Sequence, residues 1–206
     1  FERHAQLLAS VQLTSPHGNR AVSLQERQAE MLRDKIRALE HRIVDMVRHG
    51  SENVVIADRL HRWTRSIMLE RTPPALPATI AAEIVDQFMV PQAAIKVWDV
   101  ATHYAGEDFA TGVSEDAKSF ASSLTQPYCG VNSGFEAVNW LDDRTGALSL
   151  ALLPLRDGPI QTASRAFGML VLAPPDPQRF AAGMGTDFLE RIAELASAAL
   201  SRLRDE

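Results

Sequence analysis

Apolar residues fall at alternating steps of three and four along the first third of the chain: Ala29, Leu32, Ile36, Leu39, Ile43 and Met46. Arg, Lys, Glu and Asp fill most positions between them, so the pattern predicts a helix with a narrow two-in-seven stripe. The register continues through Gly50, Asn53, Ala57, Leu60, Thr64 and Ile67. No proline interrupts residues 21–72, and Pro73-Pro74 then ends the run. Ser23 and Glu26 have capping-box spacing at its start. Such a helix extends about 70 Å at about 1.5 Å per residue, farther than a small domain can cover. A helix lying on its own domain would also carry a wider stripe. Leu32, Ile36, Leu39, Ile43 and Met46 are therefore read as a dimer seam. Parallel pairing is the favoured sense, with antiparallel pairing as the open alternative. Gly50 and Asn53 break the seam. Beyond them Val54, Ile56, Leu60, Trp63 and Ile67 broaden the apolar face, predicting that packing on a domain begins there. Trp63 and Met68 are read as core.

The pattern then changes. "LPATIAAEIVDQFMV" predicts a helix with Ile80, Ile84, Val85 and Phe88 on one face. "AAIKVWDV" alternates as a strand that buries Ile95, Val97 and Val100. A polar loop runs to about Val113, followed by a short helix in "EDAKSFASSL", an extended "PYCGV", and a helical turn or two in "GFEAVNWL". "ALSLALLPL" and "FGMLVLAP" are the clearest strands. The last helix, "TDFLERIAELASAALSRL", is read with Phe188, Ile192, Leu195, Ala199 and Leu203 on its buried stripe. The expected organisation is an N-terminal segment over 1–21, the heptad helix over 22–72, and an α+β domain over 73–206.

Composition adds bounds. With 206 residues, 46% hydrophobic and 23% charged, the chain has ordinary globular make-up. Residues 1–72 carry 12 Lys/Arg against 9 Asp/Glu, and residues 73–206 carry 9 against 17, so a mildly basic front precedes an acidic back. On the helix, Arg33, Lys35, Arg37, Arg42 and Arg48 are interleaved with Glu30, Asp34, Glu40 and Asp45. Interspersed signs read as a solvated face, so a nucleic-acid partner is not expected. A single cysteine excludes an intrachain disulfide or a cysteine-based zinc cluster. No apolar run approaches the roughly 20 residues that span a bilayer. The chain opens at Phe1 without a signal-peptide pattern, and a cytoplasmic location is expected.

Candidate chemistry is sparse. "GMGTDFLERIAEL" looks at first like a phosphate loop, but three prolines lie between the preceding strand and the glycines, and no lysine follows. The plainer reading is a turn at Gly183 and Gly185, with Thr186 capping the helix and Asp187 at its positive end. The six histidines show no paired-ligand spacing, so no metal is expected. Asp142-Asp143 reads as a solvated turn. No catalytic constellation is found, and a non-enzymatic protein is expected.

"SLALLPLRDG", "FGMLVLAPPDPQRF" and "FLERIAELASAAL" together resemble the closing half of a GAF domain. With "AVSLQERQ", the heptad helix, "PYCG" and "DPQRFAAGMGTDFL", the chain more closely resembles the GAF-like domain-of-unknown-function family 484 over nearly its whole length. That resemblance implies an antiparallel sheet flanked by helices, with no assigned activity. It also implies a pocket near Thr102–Gly146, with Trp98, Tyr128, Cys129, Gly130, Asn132 and Phe135 as candidate lining residues. The signatures of cyclic-nucleotide, bilin and methionine-sulfoxide-reducing GAF domains are not found, and the cofactor stays unknown. Cys129 reads first as a small buried hydrophobe, with ligand contact as the alternative. No basic residue lies within five positions to form a thiolate. The expectation is a small-molecule sensor or regulatory module dimerised through its N-terminal helix. The alternative is an interaction scaffold that holds a protein partner and no ligand.

Overall fold

A computed structural model describes residues 24–158, 164–180 and 186–205. Segment 1–21, Ser23 of the expected capping box, and Gly183 and Gly185 of the expected turn lie outside the described residues. Contacts divide the chain into two compact units, one ending at Val54 and one starting at Val55.

Helix α1 runs from Leu24 to Leu69, without the cost of an internal proline. In the first unit its seam side chains are bare: Leu32 is 60% exposed, Ile36 53% and Leu39 55%. In the second unit Leu60 is half-buried, and Trp63 and Ile67 enter the core at 0% and 4% exposure. Packing therefore begins at Leu60. Val54 and Ile56, expected to start it, remain exposed, and so does Met68, which is not a core residue. Met68 and Leu69 follow Ile67 on turns of the helix that face away from the packed residues.

Helix α2 spans Leu76–Phe88 and buries Leu76, Pro77, Ile80, Ile84 and Phe88. Val85 lies on the flank of that face and is half-buried. The second unit contains a four-stranded antiparallel sheet: β1 Gln92–Val97, β2 Tyr128–Val131, β3 Ser149–Leu155 and β4 Gly168–Ala173, in spatial order β1-β4-β3-β2. Every residue of β3 and β4 is buried. Their near-continuous apolar runs fit central strands covered on both faces, whereas the edge strands β1 and β2 are half-exposed.

Side-chain alternation divides the core in two. On one face Leu153 and Leu155 of β3 and Leu170 and Leu172 of β4 pack with Trp63, Ile67, α2 and the last helix, α4 (Asp187–Leu200). On the other, Leu150, Leu152, Met169 and Val171 pack with Trp98, helix α3 (Glu115–Ser123) and the 3-10 segment Glu136–Trp140. Each fully buried aliphatic side chain contributes about 1.5–3 kcal/mol relative to exposure. The architecture is α+β, an antiparallel sheet with helices on both flanks, as the sequence predicts.

Three local expectations need correction. The buried stripe of α4 is Leu189, Ile192, Ala193, Ala196 and Leu200, continuing to Leu203. Phe188, Leu195 and Ala199 are half-buried and sit on its margin, because the helix is turned so that Leu189, Ala193, Ala196 and Leu200 face the core beside Ile192. Thr186 stands at the start of α4 but its hydroxyl makes no capping bond; it donates to Glu190 Oε1 at 3.0 Å. Val100 lies beyond β1 and is half-buried, since Asp99 turns the chain with a positive φ of 58°.

Candidate functional site

The sheet alternation decides how the expected pocket residues fall. Tyr128 and Cys129 are neighbours on β2, so their side chains leave opposite faces. Tyr128 joins the α3 side, where its ring meets Phe135 edge-on at 5.0 Å, and Phe135 meets Phe120 at 5.5 Å. Cys129 packs against the α4 side instead, and burial pushes its thiol up from the ordinary value. It does not share a site with the aromatic group.

Trp98 is buried, and its indole N–H donates to the Ala166 carbonyl at 2.7 Å. Gly130 allows a close approach: a Cβ there would stand 2.6 Å from the Tyr128 hydroxyl oxygen. Asn132 braces a turn, donating from Nδ2 to the Ala147 carbonyl at 2.9 Å and accepting from the Gly134 N–H at 3.0 Å.

A cavity of about 170 Å³ lies beside this aromatic group. Phe120, Phe135, Ala137, Leu152 and Met169 give it apolar walls, with Asp116 and Glu136 also lining it. Of the six expected pocket residues, only Phe135 lines it. Glu136 is committed elsewhere, since its carboxylate accepts from the Ser114 N–H at 2.9 Å and from the Ser114 hydroxyl. Ser114 Oγ in turn accepts from the Ala117 N–H at 3.1 Å, capping α3.

A larger open cleft, about 600 Å³, lies along α2 and the start of β1. Val85, Gln92 and Trp140 line it, together with the carboxylates Glu83, Asp86 and Asp142. Glu83 Oε1 accepts from the Ser66 hydroxyl at 2.9 Å, which ties the cleft wall to α1. Trp140 Nε1 is buried with no hydrogen-bond partner among the described residues. The Asp142-Asp143 turn is exposed, as expected. It is also ordered: Gln92 and Asp143 exchange two hydrogen bonds of 2.9 Å, and the Asp143 carboxylate accepts from Thr145 and Gly146. The Thr145 hydroxyl and the Gly146 N–H hold that carboxyl below its usual range.

Arg156 has no counterpart in the sequence reading. It follows β3 directly, is 2% exposed, and donates to the carbonyls of Ala121, Ser122, Leu124 and Ser164. Three of these stand at the C-terminal end of α3, where a cation complements the helix dipole. Burial lowers the guanidinium from its ordinary value. A charged residue directly after a seven-residue apolar strand was the available signal.

Among the described residues no group of His, Cys, Asp and Glu is placed to hold a metal, and no helix is long and apolar enough to cross a membrane. A family model described as "Protein of unknown function, DUF484" matches residues 1–205. No match is found among curated proteins. Two solved structures similar to this chain are GAF domains. One is the native GAF domain of the potassium sensor histidine kinase KdpD from Escherichia coli, 18% identical, covering 71% of this chain and 94% of its own, with a TM-score of 0.44. The other comes from a putative sensor histidine kinase of Pseudomonas syringae pv. tomato, 17% identical, covering 75% and 91%, with a TM-score of 0.48.

Proposed function

The chain belongs to the protein family of unknown function DUF484, and from that premise we propose that it is a non-enzymatic regulatory module that pairs two copies through α1 and responds to a small ligand. The observation that carries the reading is the contrast along α1, whose apolar positions are bare from Leu32 to Met46 and buried at Trp63 and Ile67. A bare seam of this regularity supports self-association. The ligand is a small, largely apolar molecule in the cavity beside Phe135, whose volume is close to the roughly 150 Å³ of a void that takes up benzene.

Occupancy acts on the helix only if it favours one arrangement over another. The break at Gly50 and Asn53 is the proposed place of that choice. A Cβ at Gly50 meets nothing within 4 Å, so Gly50→Ala stiffens the helix without a clash. Coupling between ligand binding and self-association weakens in this variant; unchanged coupling counts against the mechanism.

The Ser66–Glu83 hydrogen bond favours a second reading, in which the ligand occupies the cleft along α2 and competes for Glu83. Native mass spectrometry of the protein purified gently from its own source tests both. A dimer with additional non-covalent mass supports a ligand, and loss of that mass in Phe135→Trp or in Glu83→Gln assigns the site. A dimer without added mass that melts unchanged with candidate ligands favours the scaffold alternative.

A further inference from the structure

We propose that α1 pairs with α1 of a second copy as a parallel, in-register, two-stranded coiled coil over residues 29–46, with Lys35 of each chain facing Glu40 of the other. This rests on the self-association reading above and adds the partner geometry to it.

The layers favour two parallel strands. Taking Ala29 as position a, the a sites are Ala29, Ile36 and Ile43, and the d sites are Leu32, Leu39 and Met46. β-branched residues at a with leucine at d pack best in parallel dimers, because the two layers present different side-chain angles to the facing helix.

The flanking charges favour the same arrangement. The g sites are Gln28, Lys35 and Arg42, and the e sites are Arg33, Glu40 and Val47. In a parallel pair each g residue faces the e residue five positions on in the other chain. Lys35 then meets Glu40 twice by symmetry, while Gln28 faces Arg33 and Arg42 faces Val47 without repulsion. An antiparallel pair with Ile36 opposite Leu39 brings g against g and e against e. Lys35 would meet Arg42 and Arg33 would meet Glu40, so attraction and repulsion cancel.

Neither Lys35 nor Glu40 has an ion-pair partner in its own chain among the described residues, so both are available across the seam. The intrachain pairs of this stretch, Arg37–Asp34 at 3.6 Å and Arg48–Asp45 at 3.2 Å, lie on the outer positions. Two pairs of outer charges are satisfied within the helix, whereas Lys35 and Glu40 beside the seam are not.

Sedimentation equilibrium of the full chain tests the proposal through its sign. Lys35→Glu weakens the dimer on the order of tenfold, because two attractive contacts become repulsive. Adding Glu40→Lys restores it. In the antiparallel arrangement Lys35→Glu would tighten the dimer instead, and that result overturns the proposal while leaving self-association intact. No change in affinity, or a trimer, also overturns it. A monomeric wild type overturns both this proposal and the reading it rests on. Leu32→Cys supplies a second measurement under mild oxidation. Parallel strands join it to itself, whereas antiparallel strands hold the two sulfurs apart by eleven residues, about 16 Å at about 1.5 Å per residue. Absence of the self-disulfide in a confirmed dimer contradicts the parallel register.

Discussion

Two stretches of α1 carry similar apolar spacing and have opposite surroundings. Leu32, Ile36, Leu39 and Ile43 stand more than half exposed, whereas Trp63 and Ile67 are sealed in the core. Between Leu32 and Met46 the apolar seam keeps a strict a/d rhythm with charges on both sides. Near Trp63 the helix meets α2, whose Phe88 ring lies 6.4 Å from the indole, and the Trp63 Nε1–H points to the Ile80 carbonyl at 3.4 Å. Periodicity announces that a helix face will be covered. What covers it is read from the width of the stripe and from the rest of the chain.

The buried end of α1 is the more sensitive of the two. Trp63→Ala removes a fully buried indole and costs about 3–5 kcal/mol of stability, measured by urea unfolding. The matching change at the bare end, Leu39→Ala, leaves the unfolding of the second unit within about 0.5 kcal/mol at a concentration where the chain is monomeric. Equal losses at both sites would mean that the seam is already covered within one chain.

Arg156→Leu tests the polar fastening of the second unit. It strips donors from the buried or part-buried carbonyls of Ala121, Ser122, Leu124 and Ser164, and a loss of about 2–4 kcal/mol is expected in the same assay. Gly50→Ala should act in the other direction, raising helix stability by about 1 kcal/mol in circular dichroism melts, because nothing obstructs the added methyl group.

The smallest effect concerns Cys129, the only thiol of the chain. Burial raises its pKa, so the folded protein holds the thiol proton where the unfolded chain has released it. The associated stability is complete below the unfolded thiol's pKa and falls as pH rises through the folded one. Alkylation at mildly alkaline pH is therefore slower in the folded protein than in denaturant. Equal rates would place the thiol in water.

Local pattern revealed a good part of the fold. The apolar runs of β3 and β4, the stripe of α2, the Ser114-capped α3 and the end of α1 before Pro73 each follow from residues close together in the chain. The candidate site was less legible. Tyr128 and Cys129 are adjacent on a strand, and the alternation legible in the sequence sends their side chains to opposite faces. The α4 stripe differs from its expected position by a rotation about the helix axis, which brings Leu189, Ala193, Ala196 and Leu200 to the core and leaves Phe188, Leu195 and Ala199 at its margin. The Arg156 bonds to Ala121, Ser122 and Leu124 and the Ser66–Glu83 bond join residues 17 or more positions apart, and such pairs leave no periodic trace.

On this reading a second copy of the chain covers the bare face of α1. Sedimentation equilibrium of the wild type beside Leu39→Asp tests it most directly. The wild type should sediment as a dimer at micromolar concentration, and Leu39→Asp as a monomer with an unchanged unfolding transition of the second unit. A wild type that remains monomeric over that range, or a variant that still dimerises, would contradict it.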